Sequence, residues 1–586
     1  MGCCGSSETK EGEKKAGIEE AHVDLEIPQL CTEEERQKRK QAIEKNRSLY
    51  EWEHAPDGIT PSHIKQIPEC EGDEVTRKWH KTQVYDIVKA AADLGIKTII
   101  DESTDIFRDE GAFKDYSDIY TKEPGKEPRE PTVSDRWRDD EEFARQKLAG
   151  VLPIYIKRFK EVPAKFPVTN DMLQGVITDG ETLESMIEKG KMYWVDYDFL
   201  LGIRAPPERN MCVPMILFYI DHRDKLMPAA IRLGQGTEEA DFVRFPIFTP
   251  SGEDLVTNRW LVAKILCNSA EGSLHEVSNH LLMTHLSMEV VYVSLKRTLA
   301  PTHPIHELLA AHFWYTLFIN DGARNTLMKD EESAVPKVMC MGYQGMVDLL
   351  VKGWKEYSME TYDIEKGFKE RDIEELPGYY YRDDARKVWG CIFKYVGSVV
   401  NEFYKDDETI ATDEELQAFV KEFTDPSIGN LRGSPFLDGK ASTREQLIRF
   451  CTEVIWSCSA YHAALNNGQY DYFGYIPNAP GIYHRAAPTK QDTYTDAQVA
   501  GGFPSKSMTG FQVAFIHVLS LPTDQKLAYF THDQNYMKGE PNVLKLHKEW
   551  QEELSSISKQ IQERNKGLDA PYTYLDPEQI ACGIAI

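Results

Sequence analysis

Apolar positions recur at helical spacing from Trp137 almost to the end of the chain, and this predicts a mainly α protein. Two apolar runs of strand length, Pro214–Ile220 and Ala229–Leu233, interrupt the rhythm and predict a small β subregion. Trp260–Leu299 is apolar with no polar face, the pattern of a long helix buried all round. Nearer the start, Thr32-Glu33-Glu34-Glu35 is a capping box and opens a charged helix that runs to about Arg47. Its Arg36, Lys38, Arg39 and Lys40 predict a solvated face, with an anionic membrane surface as the alternative partner. Residues 103–136 and 403–433 are rich in acidic residues and read as connections, the second acidic and loop-like. The two prolines of Tyr475–Pro480 interrupt any helix there. The first 25 residues are small, charged and aperiodic, and no internal repeat is present.

Composition narrows the class. The 586 residues carry 68 Lys+Arg against 95 Asp+Glu, a net charge of −27, which excludes a phosphate-binding footprint and hence nucleic acid as partner. No apolar run reaches the roughly 18 residues that a membrane span needs, and no signal-peptide core is visible. Eleven cysteines, an odd number with no Cys-x-x-Cys pair, read as reduced thiols in a cytoplasmic enzyme. Met1-Gly2-Cys3-Cys4-Gly5-Ser6 meets the N-myristoylation pattern at Gly2, with Cys3 and Cys4 as palmitoylation candidates. Together the two lipids would make membrane attachment stable; the plain alternative is a small-residue tail.

The histidines are the candidate chemistry. His275, His280 and His285 are spaced by five within the buried Trp260–Leu299 segment, and His303 and His312 follow. On an α-helix, residues five apart diverge by about 140°, whereas residues four apart diverge by about 40°. His280 and His285 therefore share a metal only if the helix carries a π-bulge. His275-Glu276 is not a zinc-protease motif, because position 279 is Asn279. A second cluster, His462 and Asn466, lies four apart on one helix face. Three imidazoles and an amide oxygen suit iron, zinc, copper or nickel in an open site rather than structural zinc. The apolar ending Ala581-Cys582-Gly583-Ile584-Ala585-Ile586 suggests a tail threaded into the core, where a metal would partner its carboxylate. The alternative is a set of core histidines satisfied by carbonyls.

His275-x4-His280-x4-His285-x17-His303-x8-His312 resembles the lipoxygenase signature. Trp260–Lys264, Ile319–Arg324, Arg136–Pro153, Gly378–Asp384 and the Ala585-Ile586 ending are similar to family landmarks, those after residue 378 to the animal-type members. The resemblance covers about 130–586 and implies one large helical catalytic domain, with 1–130 as a mostly helical N-terminal extension lacking the usual PLAT β-sandwich. It implies non-heme iron, with manganese as the alternative ion, held by His280, His285, His462, Asn466 and the Ile586 carboxylate; His275, His303 and His312 are not ligands. By the same resemblance Leu281 covers the reacting carbon, Glu276 and Gln469 link the two helices by hydrogen bonds, and Cys391 occupies a position tied to stereochemistry. Arg382 is the candidate partner for a substrate carboxylate, against a salt bridge with Asp383 or Asp384. The implied activity is dioxygenation of polyunsaturated fatty acids such as arachidonate or linoleate, with O2 as co-substrate. A hydroperoxide isomerase with the same iron site and a silent, membrane-tethered lipid-binding protein are the alternatives.

Overall fold

The computed structural model describes residues 25–54, 60–81, 113, 116, 119–120 and 128–586, except 179 and 534. Gly2, Cys3 and Cys4 lie outside these residues, as does most of 103–127.

Helix α1 (Glu33–Leu49) begins at the expected capping box, with Glu35 reaching back to Thr32. Its basic face is only partly solvated. Arg39 is buried and forms a two-pronged ion pair with Glu415, 2.7 and 2.9 Å, which fastens α1 to the rest of the molecule. Fork-to-carboxylate geometry of this kind suits arginine rather than lysine. After α1 come two-residue strands β1 (Trp52–Glu53) and β2 (His63–Ile64), paired antiparallel. Ile27, Tyr50 and Ile64 join the same hydrophobic cluster as the later helices.

Helix α2 (Asp140–Ala149) leads to a five-stranded antiparallel sheet in chain order: β3 (Lys157–Arg158), β4 (Met192–Asp196), β5 (Met215–Ile220), β6 (Leu226–Arg232) and β7 (Ile247–Phe248). The two expected apolar runs are β5 and β6. The sheet encloses a small core of its own, with Phe159, Phe166, Met192, Leu217 and Ala230.

The central helix runs without a break through α3 (Arg259–Leu274), a π-helical segment (His275–Leu286) and α4 (Ser287–Thr298). All of its first 37 residues, Arg259–Leu295, are buried, polar ones such as Lys264, Glu271 and Glu289 included. Lys147 of α2 is also buried and is satisfied by Glu271 and Asn268 of α3, and Tyr197 donates to the same Glu271. Of the helices that follow, α5 (Gly342–Glu356), α8 (Glu414–Thr424) and α10 (His462–Asn466) pack on the central helix, while α6 (Ile364–Arg371), α9 (Arg444–Trp456) and α12 (Pro541–Asn565) pack on α7 (Tyr380–Phe403), and α11 (Gln469–Phe473) follows α10. Gly353 of α5 faces the π-helical segment so closely that a Cβ there would lie 2.5 Å from Leu282 Cδ2.

The stretch 403–433 is not a loop. It contains Asp407–Ala411 and α8, whose Leu416, Phe419, Val420 and Phe423 are buried at i, i+3, i+4 and i+7. The acidic residues that suggested a loop occupy helix starts, where Asp406 and Asp413 accept from backbone amides and carboxylates are favoured.

Candidate metal centre

The π-helical segment does what the spacing by five demands. Each π turn takes one extra residue, so His280 and His285 come into line on one side of the helix. Their Nε2 atoms are 3.3 Å apart. His462 approaches from α10, its Nε2 3.1 Å from that of His280. A second π-helical segment, Ser457–Tyr461, immediately precedes it and turns the helix before the ligand residue. No spacing in the sequence announces that one. The three rings have their centroids 4.9 to 5.1 Å apart and are all buried.

Proton positions decide what this arrangement holds. Asn320 Nδ2 donates to the His285 carbonyl and to Glu289, each at 2.8 Å. The amide orientation is thereby fixed, and its Oδ1 faces His285 Nδ1 at 3.1 Å. His285 must carry its proton on Nδ1, leaving Nε2 a lone pair. With the His280 proton also on Nδ1, towards Glu276 Oε2 at 3.4 Å, two lone pairs converge in a buried space. Protonation does not relieve them, because burial pushes both imidazoles down to about 3. A cation between them does. Imidazole nitrogens about 2.1 Å from a common ion and roughly at right angles are about 3 Å apart, and the observed 3.1 and 3.3 Å fit that spacing.

Of the other two implied ligands, one shares a helix with His462 and the other is bonded to it. Asn466 is one turn after His462 and buried, its Oδ1 accepting from Gln469 Nε2 at 2.8 Å. The tail is threaded into the core: Cys582, Ile584, Ala585 and Ile586 are buried, and the Ile586 main chain is hydrogen-bonded to His462. His275, His303 and His312 have structural partners. His275 meets the Leu465 carbonyl at 3.0 Å, His303 meets Asp413 at 3.1 Å, and His312 meets the Cys582 carbonyl at 3.1 Å.

Behind His285 the support continues. Glu289, fully buried, accepts from Asn320, from both terminal nitrogens of Arg324 (2.8 and 3.1 Å) and from the Ile64 amide of β2 (3.1 Å). Outer partners of this kind fix the tautomer and orientation of a ligand. Ile319–Arg324 stands out in the sequence as a landmark, yet its role comes from partners 31 and 35 residues away.

Three expectations need correcting. Glu276 and Gln469 are not hydrogen-bonded to each other: Glu276 faces His280, Gln469 donates to Asn466, and Gln469 Oε1 is buried without a partner. Burial raises the Glu276 carboxyl above the usual range. Arg382 is not free for a substrate. It is buried, donates to the carbonyls of Ile373, Glu374 and Leu376, and pairs with Asp383. The buried Cys391 thiol has Trp550, Glu553 and Lys394 as neighbours, none of them in the histidine cluster, and burial pushes it up to about 12. Leu281 follows His280 directly and is buried.

A cavity of about 350 Å³ includes Tyr461, the residue before His462, in its wall. Tyr381, Phe368, Ile154 and Arg371 line it as well. Arg371 is held by the Gly367 and Ile156 carbonyls and the Tyr379 hydroxyl rather than by a carboxylate.

A family model described as Lipoxygenase matches residues 128–571. The chain belongs to the lipoxygenase family. It is an oxidoreductase of that family, whose members are iron enzymes. The mouse polyunsaturated fatty acid lipoxygenase ALOX8 is 30% identical over 594 residues, 98% of this chain and 82% of that protein. The human hydroperoxide isomerase ALOXE3 is 32% identical over 462 residues, 78% of this chain and 63% of its own length. A lipoxygenase crystallised anaerobically in complex with arachidonate superimposes with a TM-score of 0.88 at 28% identity, covering 96% of this chain and 84% of that one. No helix among the described residues of this lipoxygenase is long and apolar enough to cross a membrane.

Proposed function

We propose that this lipoxygenase dioxygenates polyunsaturated fatty acids to hydroperoxides at one non-heme iron. The observation that carries the proposal is the convergence of His280, His285 and His462, whose ligand atoms lie within 4.8 Å of one another, in a chain of this family. Asn466 and the Ile586 carboxylate complete the ligand set. Bound there, iron supplies the one-electron chemistry that makes a bis-allylic carbon reactive towards O2.

The chain's own residues provide the setting. Asn320 holds His285 in the tautomer that presents Nε2, and Gln469 fixes the Asn466 amide. Neutral imidazoles leave the tail carboxylate as the anionic ligand. A cavity of about 350 Å³ falls in the range of small-molecule sites, about 300–1,000 Å³. An acyl chain would lie against Phe368, Tyr381 and Tyr461 of its wall, and Leu281 would pack over the reacting carbon. Arg371, the cation of that wall not paired with a carboxylate, meets the fatty-acid carboxylate. Gly2, Cys3 and Cys4, if acylated, bring the enzyme to its lipid source.

The likeness to a hydroperoxide isomerase supports a second reading, isomerisation of a fatty-acid hydroperoxide to an epoxyalcohol at the same centre. Incubation with arachidonate or linoleate separates the two. Oxygen uptake with a conjugated-diene product is expected; conversion of an added hydroperoxide without oxygen uptake overturns dioxygenation in favour of isomerisation.

A further inference from the structure

The tail that carries the Ile586 carboxylate has no regular structure of its own, so other elements must hold it. Up to Cys582 the core does so: Cys582 N donates to the Gln525 carbonyl at 3.0 Å, and His312 meets the Cys582 carbonyl. At Gly583 the tail passes so close to the chain at 312–314 that a Cβ would lie 3.0 Å from the His312 and Trp314 carbonyl oxygens and 3.1 Å from Trp314 N. Beyond that point the His462 bond to Ile586 is joined by an anchor from a segment more than 500 residues away. Trp79 Nε1 donates to the Ala585 carbonyl at 3.2 Å. That carbonyl belongs to the peptide linking Ala585 to Ile586, two bonds from the Cα that bears the carboxylate.

Trp79 is itself braced. Its ring is 6.0 Å from that of Trp314, whose Nε1 donates to Thr76 Oγ1 at 3.1 Å. Thr76 N is fixed to Asp73 Oδ1 at 2.6 Å, and the neighbouring His80 Nδ1 bonds the Tyr315 hydroxyl at 2.7 Å. Thus 73–80 docks on 314–315, the same short stretch that the tail touches at Gly583.

We propose that Trp79 is a positioning residue for the metal centre, a clamp from the N-terminal extension that sets the Ile586 carboxylate through the Ala585 carbonyl. This rests on the reading above, in which that carboxylate is a ligand. A hydrogen bond to the ligand's own peptide restricts the rotations that would swing the carboxylate away. Partners of this kind change metal affinity by about 10- to 100-fold.

The test uses full-length holoprotein and Trp79→Phe, which deletes the N–H and keeps a ring against Trp314. Iron retention is followed against a chelator, the ferric protein is examined by EPR, and hydrogen exchange of the 580–586 peptide is compared with that of 541–565. Trp79→Phe is expected to lose iron about tenfold faster, to broaden the ferric signal, and to raise exchange in 580–586 alone. Retention, EPR and tail exchange all equal to wild type would overturn the clamp while leaving the metal reading intact. A wild-type protein that binds no iron on reconstitution would overturn the metal reading and the clamp with it. Should Trp79→Phe fold poorly, Thr76→Val, which frees Trp314 from the same segment, is expected to show the same tail-specific rise in exchange, and its absence would also overturn the proposal.

Discussion

Glu289→Gln tests the support behind His285. The wild-type carboxylate accepts four hydrogen bonds: Ile64 N and Arg324 Nη2 on Oε1, and Asn320 Nδ2 and Arg324 Nη1 on Oε2. An amide retains one oxygen, so its NH2 must face donors on one side. That change costs two of the four bonds, each about 1.5–3 kcal/mol when one partner is charged. It also leaves the Arg324 side chain, 19% exposed, without its counter-charge; breaking a buried pair costs about 3–5 kcal/mol. The two figures overlap, since the lost bonds belong to the broken pair, and because Arg324 is partly solvated the low end of either, about 3 kcal/mol, is the expected loss. Urea unfolding of metal-free protein measures it without the contribution of bound iron. In the holoprotein the slackened Asn320 no longer fixes His285, and iron affinity is expected to fall by at least about tenfold. Glu289→Gln/Arg324→Leu removes the stranded charge and recovers part of the stability but not the iron affinity. A Glu289→Gln protein within about 1 kcal/mol of wild type and unchanged in iron affinity would refute the relay.

Three further outcomes are expected. Arg371→Leu raises the KM for free fatty acid with little change in kcat and leaves the methyl ester unaffected, whereas Arg382→Leu lowers the melting temperature, its guanidinium being tied to three carbonyls; an unaltered KM in Arg371→Leu sinks the carboxylate assignment. Glu307, raised from 4.5 to about 7 by burial and the nearby Asp533, keeps its proton in the folded protein after the unfolded chain has lost it. Its favourable contribution is full below pH 4.5 and declines as pH rises to about 7, by about 3 kcal/mol at most; Glu307→Gln is expected to flatten that part of the stability–pH curve, and a curve identical to wild type refutes it. Gly2→Ala is expected to release the protein from membranes in a eukaryotic cell, and unchanged membrane recovery contradicts acylation.

Local spacing made much of this legible. Histidines five apart cannot share a metal on an α-helix, so the spacing predicts a π-helical distortion at 275–286 if the pair binds one ion. The apolar runs of β5 and β6 and the capping box of α1 were equally local signals. In α8 an acidic composition hid an apolar stripe at helical spacing, because Asp406 and Asp413 are caps rather than loop residues. Arginine roles were legible only where the partner is a chain neighbour, as in the Arg382–Asp383 pair. Arg39 is an interior tie to Glu415, 376 residues away, and Arg382 turns inward to carbonyls, while Arg371 faces the cavity. Trp79, Asn320 and Glu289 act through contacts that no periodicity encodes.

The proposed centre is one catalytic iron held by three neutral imidazoles and the chain's last carboxylate. Its test is iron content and oxygen uptake, measured together on wild type and on a protein extended by a few residues beyond Ile586. About one iron per wild-type chain with oxygen consumed, and both lost together in the extended protein, is the predicted result. An extended protein that keeps its iron and its activity would contradict the account.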